Sequence, residues 1–201
     1  MTFLLKISLT RRYRFRSVSL CPTFARISAG PVIGLSLGGW IAAELALRRP
    51  DRIERLVLVD AAGLRVEGAP TAEFFMATPA QLRSLLFARP DSDLARTLVP
   101  DVPPPERLEM ALRGREAAAR LLWNPHFHHR KLHSRLHLIQ VPTLIVWGKE
   151  DRLIPLAHGQ AFATGIPGAH LAILDGCAHL PPFERPHAFV DTVLPFLQGK
   201  D

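Results

Sequence analysis

The sequence predicts an α/β domain: a parallel sheet flanked by helices and interrupted by a helical insertion. Three observations predict it. Short apolar runs of strand length alternate with helical stretches. A serine between glycines sits where one such run passes into the helix after it. A proline-punctuated helical segment then separates two alternating halves.

From residue 30 the elements follow in order. Pro31-Val32-Ile33 reads as the end of a buried strand, and Leu37–Arg48 as the next helix. Pro50 stops that helix, because proline lacks an N–H and clashes with the preceding turn. Arg55–Asp60 is a strand, and Ala61-Ala62-Gly63 leaves the sheet. Strand, helix and strand in close succession form a βαβ unit, so these two strands are expected to be parallel. Residues 64–137 break the alternation at Pro79, Pro90, Pro100 and Pro103-Pro104-Pro105, with helices expected at Ala80–Phe87 and Glu106–Leu122. Alternation resumes with a strand at Thr143–Gly148, a helix at Leu156–Ala163, a strand at Leu171–Leu174 and a last helix at Pro186–Leu197.

A chain of 201 residues with 48% hydrophobic and 21% charged residues is long and apolar enough for one domain with a sizeable core. No apolar run reaches the ~18 residues of a membrane span. The net charge of +7 is unevenly placed. Lys6, Arg11, Arg12, Arg14, Arg16 and Arg26 all precede the first acidic residue, Glu44. The remainder is nearly neutral, so no global basic face argues for a nucleic-acid partner. The two cysteines, Cys21 and Cys177, show neither metal-ligand spacing nor a disulfide framework, which fits a reducing cytoplasmic location. Residues 1–29 form an atypical basic segment with no clear strand–helix pattern. They read as a transit peptide or, preferred here, as a misassigned start or out-of-frame sequence joined to a real domain.

Gly34-Leu35-Ser36-Leu37-Gly38-Gly39 carries the most information. A G-x-S-x-G run at a strand-to-helix junction is a nucleophile elbow. The turn is tight enough to require glycine on its flanks. It holds the serine hydroxyl at a helix N-terminus, where free N–H groups and a partial positive charge lie.

On these residues the chain resembles the α/β-hydrolase family, of the esterase, lipase and carbon–carbon bond hydrolase kind, from about Val32 to about Leu197. The resemblance implies a core at 30–63 and 138–201 with a helical cap at 64–137. It also implies a nucleophile, acid, histidine order along the chain. Ser36, Asp151 and His179 fall in that order. Asp151 follows the strand ending at Gly148, and His179 lies in Asp175-Gly176-Cys177-Ala178-His179, a small-residue loop after the next strand. Asp60, at the end of the preceding strand, is a rival acid, because some relatives place the acid there, and Glu150 is a weaker rival. Cys177 reads as a small buried filler. The backbone N–H of Leu37 is expected to be one oxyanion donor; the His-Gly loop that usually supplies the second has no counterpart.

His129, His133 and His137 recur at helical spacing, but Arg130, Lys131 and Arg135 beside them oppose a cation, so metal binding is not expected. The implied activity is serine hydrolysis of a small-molecule ester or related carbonyl substrate, with no cofactor and no metal. A carbon–carbon bond hydrolase, a cofactor-free haloperoxidase-like enzyme and an inert truncated fragment are the alternatives. With few residues ahead of it, the elbow strand is expected to have a bare edge, and the domain to associate with a second copy, another fragment or a partner.

Overall fold

Four parallel strands in sequence order form the centre of the molecule. The computed structural model describes residues 4–8, 14–17, 29–123 and 125–199. The strands are β1 (Leu4–Ser8), β2 (Arg14–Ser17), β3 (Gly30–Leu35), β4 (Ile53–Val59), β5 (Thr143–Gly148) and β6 (His170–Leu174). They lie side by side in the order β2-β1-β3-β4-β5-β6. The β3–β4, β4–β5 and β5–β6 pairs are parallel, with Ile33 opposite Val57, Val57 opposite Leu144 and Val146 opposite Ala172. The helices are α1 (Leu37–Arg48), α2 (Pro79–Leu86), α3 (Asp93–Leu98), α4 (Pro105–Leu122), α5 (Leu156–Gly165), α6 (Pro181–Glu184) and α7 (Pro186–Leu197).

The side-chain alternation of the strands divides the core into two layers. Val32, Leu56, Leu58, Ile145 and Trp147 face the layer that holds Ala42, Ala43 and Ala46 of α1 and Phe162 of α5. Ile33, Leu35, Val57, Val59, Leu144 and Val146 face the other, with Val193, Phe196 and Leu197 of α7. A parallel sheet covered on both faces accounts for strands that read as unbroken apolar runs.

Two expectations change. Strands β1 and β2 lie within residues 1–29, where none was expected. Strand β1 pairs antiparallel with β3, placing Leu5 opposite Ile33, so the elbow strand has no bare edge and the argument for association through it falls. The strands escape a reading of the sequence because each is only 5 or 4 residues long and carries basic residues. The insertion also holds a short helix, α3, beyond the two expected.

α2 begins with a capping box: Thr78 accepts from the Gln81 N–H, and the Gln81 side chain accepts from the Thr78 N–H at 2.8 Å. The end of α2 is fastened to both loops at the carboxyl end of β5 and β6. Arg152 donates to the carbonyls of Ser84 and Phe87 at 2.9 and 3.1 Å. The His179 N–H donates to the Leu86 carbonyl at 3.1 Å. Glu184 accepts from two segments at once, from Ala178 N–H at 2.8 Å and Ala88 N–H at 2.7 Å. The start of the insertion is tied down separately, by His158 Nε2–H donating to the Ala69 carbonyl at 2.7 Å and Ala72 N–H to Leu153 at 2.9 Å. Phe74, Phe75, Trp123, His126 and Phe127 pack their rings together where the two ends of the insertion meet.

Glu184→Ala leaves two part-buried N–H groups without an acceptor, so a loss of about 1–3 kcal/mol per group is expected in urea unfolding, with Glu184→Gln intermediate. His158 is buried, and burial holds its imidazole below the ordinary value of 6.5 against the opposing pull of the Ala69 hydrogen bond. The unfolded chain therefore takes up this proton more readily. That contribution to stability is complete above the unfolded value and is lost as pH falls below it. His158→Gln should flatten the fall in unfolding free energy between about pH 7 and pH 5.

Candidate active site

Ser36 stands between β3 and α1 with φ 55° and ψ −120°, a region that non-glycine residues avoid. Four backbone hydrogen bonds hold it there. Its N–H donates to the Val59 carbonyl at 2.9 Å. Its carbonyl accepts from Gly39, Trp40 and Ala62 at 2.9, 3.2 and 3.0 Å. The strain is thus sustained by β4 on one side and the first turn of α1 on the other. Any Cβ on Gly34 would overlap the Gly38 carbonyl, which is why the turn closes only with glycine there.

Asp151 is delivered by the turn after β5 and is buried. Its Oδ1 accepts from the N–H groups of Leu153 and Ile154 at 2.8 and 2.9 Å. Its Oδ2 accepts from His179 Nδ1–H at 2.7 Å. His179, 2% exposed, lies in the loop after β6 and reaches Ser36 Oγ with Nε2 at 2.9 Å. Glu150 accepts from the Cys177 N–H at 2.8 Å, and Glu184 accepts from Ala178. Gly148 lets this loop lie directly on the end of β5, because a Cβ there would collide with the Ala178 carbonyl. The structure therefore brings together the three residues that the sequence singles out. Leu37 opens α1, a position whose N–H has no acceptor within the helix.

The rivals take other places. Glu150 supports the histidine loop rather than the imidazole. Asp60, fully buried at the end of β4 with φ 41°, accepts from the Gly148 N–H at 2.9 Å. Cys177 is buried, and burial together with the nearby carboxylates pushes its thiol far up, so it stays protonated. Its thiol contacts the Ala178 carbonyl at 3.5 Å.

The histidines of residues 126–137 do not converge. His126 bonds the Ala72 carbonyl and His128 the His126 carbonyl. His129 lies with Glu44 and Arg135 beneath Trp40, and His133 belongs to a 3-10 turn over His133–Leu138. Among the described residues, one group has metal-ligand spacing: Asp60, Asp151 and His179, within 4.8 Å of one another. There the imidazole Nδ1 is already bonded to Asp151, which leaves it no lone pair for a cation. Two supports escape sequence reasoning, Glu184 and Arg152. Each acts on backbone groups distant in the chain, and the Glu150-Asp151-Arg152 run is the only local hint.

Among the described residues no helix is long and apolar enough to cross a membrane. The sequence pattern of the alpha/beta hydrolase family matches residues 10–192. The 2-hydroxymuconate semialdehyde hydrolase of Pseudomonas putida is 31% identical over 186 residues, which cover 87% of this chain and 64% of that protein. The 2-hydroxy-6-oxo-6-phenylhexa-2,4-dienoate hydrolase of Comamonas testosteroni is 29% identical, with coverage of 87% and 64%. The meta-cleavage product hydrolase of Pseudomonas fluorescens IP01 has a similar fold, with a TM-score of 0.59 at 22% identity, covering 88% of this chain and 67% of that one. The chain spans about 64% of the length of the first of these relatives. With a match across most of its length, the chain belongs to the alpha/beta hydrolase family.

Proposed function

We propose that the chain is a serine hydrolase acting on a small-molecule carbonyl compound, with Ser36 as nucleophile, His179 as general base and acid, and Asp151 as the orienting carboxylate. The observation that carries this reading is the continuous relay from Ser36 Oγ through both nitrogens of His179 to Asp151 Oδ2, at 2.9 and 2.7 Å. A serine hydroxyl is a weak nucleophile until a base takes its proton. His179 Nε2 receives that proton as Ser36 Oγ attacks the carbonyl carbon, and Asp151 stabilises the imidazolium formed. The Leu37 N–H donates to the oxygen that becomes negative in the tetrahedral intermediate. Collapse expels the leaving group, which takes the proton from His179. Water, deprotonated by the same nitrogen, then releases the acyl group. Residues 64–137 act as the cap over the site, excluding water and shaping the substrate pocket.

The relatives support a second reading of the bond that is cleaved. They are named for hydrolysis of 2-hydroxymuconate semialdehyde and a 2-hydroxy-6-oxo-dienoate. In such a vinylogous dicarbonyl compound the same three residues serve first the shift to the keto tautomer and then attack on the isolated aldehyde or ketone carbonyl, breaking a carbon–carbon bond.

A fluorophosphonate probe is expected to label the protein at Ser36. Ser36→Ala should abolish the label, and His179→Ala and Asp151→Asn should each slow it at least about 10³-fold. Folded protein that takes no label, or equal labelling of Ser36→Ala, would overturn the reading. Between substrates, a 2-hydroxy-6-oxo-dienoate followed by loss of its absorbance should exceed p-nitrophenyl acetate in kcat/KM by about tenfold or more. The reverse order would assign the site to esters.

A further inference from the structure

The acid side of the site holds two carboxyl groups where the relay uses one. Asp60 is 0% exposed at the carboxyl end of β4, and its nearest ligand atom lies within 4.8 Å of those of Asp151 and His179. The two carboxyls are provisioned unequally. Asp151 accepts three hydrogen bonds, from the Leu153 and Ile154 N–H groups and from His179 Nδ1–H. Asp60 accepts one, on Oδ1, from the Gly148 N–H. Its Oδ2 is buried and has no donor.

Two buried carboxyls this close do not both ionise. The negative charge settles where the donors converge, on Asp151. The retained proton settles on the carboxyl with the fewest donors, and Oδ2 is the Asp60 oxygen with room for it. Burial, first, and the Asp151 charge, second, hold Asp60 well above the ordinary carboxylate range, against the opposing pull of the Gly148 N–H. Glu184 adds a further negative charge nearby, and Cys177 faces the group as a neutral thiol.

We propose that Asp60 is a positioning residue whose protonated carboxyl donates from Oδ2 to the Asp151 carboxylate and fixes that anion against His179. The proton satisfies the Asp60 oxygen otherwise left without a partner and gives Asp151 a fourth donor. With four donors the Asp151 charge is spread over fixed dipoles, which keeps the shared proton on His179 Nδ1 and the imidazole in the orientation that meets Ser36. The effect on chemistry rests on the serine-hydrolase reading, whereas the position of the proton is a property of the folded chain.

Infrared difference spectroscopy on the full chain at neutral pH tests the proton directly. The wild type should show a protonated-carboxyl C=O band, shifted in D2O and lost in Asp60→Asn. Unfolding by urea gives a second readout. A carboxyl that stays protonated only in the fold contributes stability below its unfolded value of 3.8 and loses it as pH rises. Asp60→Asn, which does not titrate, should therefore gain in urea midpoint relative to wild type as pH is raised from about 4 to about 7. The amide keeps an acceptor for Gly148 and a donor for Asp151, so Asp60→Asn should label with fluorophosphonate at least about tenfold faster than Asp60→Leu. Absence of the band, its persistence in Asp60→Asn, or equal labelling of the two variants overturns the proposal. If no variant labels at all, the serine-hydrolase reading fails, and the infrared band still decides where the proton lies.

Discussion

The hydrogen bond from His179 Nδ1–H to Asp151 Oδ2, 2.7 Å long and shielded from solvent, joins two loops that leave adjacent strands. Its surroundings are built to keep both partners still. Backbone N–H groups fix one oxygen of the carboxylate, and the loop that carries the imidazole is held by carboxylates from the chain on either side of it. An exposed ion pair would be worth little and would wander, whereas burial with saturated hydrogen bonding makes the geometry costly to disturb. Ser36 is fixed from the opposite direction, by a strained backbone whose polar groups are bonded to β4 and α1.

The insertion between β4 and β5 is hydrogen-bonded into this arrangement. Glu184 and the His179 backbone touch the segment after α2, and Arg152, next to Asp151, touches it too. A disturbance in residues 84–88 therefore reaches the acid and the histidine through direct hydrogen bonds. Helix α4, by contrast, presents Leu108, Met110 and Leu112 to solvent.

Much of the architecture was legible because buried parallel strands announce themselves as apolar runs. Strands β3, β4 and β5 and helices α1 and α7 follow from such runs and their proline stops. The convergence of Ser36, His179 and Asp151 was legible for a different reason: the elbow restricts its neighbours to small side chains, and parallel strands deliver side chains at one end. Strands β1 and β2 were not legible. Pairing of four or five residues leaves no periodicity, and the antiparallel direction of β1 breaks the βαβ rule that guided the rest. Glu184 was invisible because its acceptor role spans a separation of 96 residues and depends on backbone N–H groups, which carry no sequence signature. The four-residue spacing of His129, His133 and His137, from which no metal site was expected, does not align them in the structure, since a loop and a 3-10 turn stand in place of a regular helix.

Each of the four parallel strands contributes one residue at its carboxyl end: Ser36 from β3, Asp60 from β4, Asp151 from β5 and His179 from β6. Ser36 and His179 thus start three strand spacings apart, roughly 14 Å at the usual separation of neighbouring strands. The stretch from Asp175 to Leu180 acts as a cantilever that must cross that width. Its reach is dictated by the sheet, a ruler that neither stretches nor shrinks. The β4–β5 crossover has no such width to cross, because its two strands are neighbours in the sheet, so a change of its length leaves the cantilever's span as it is.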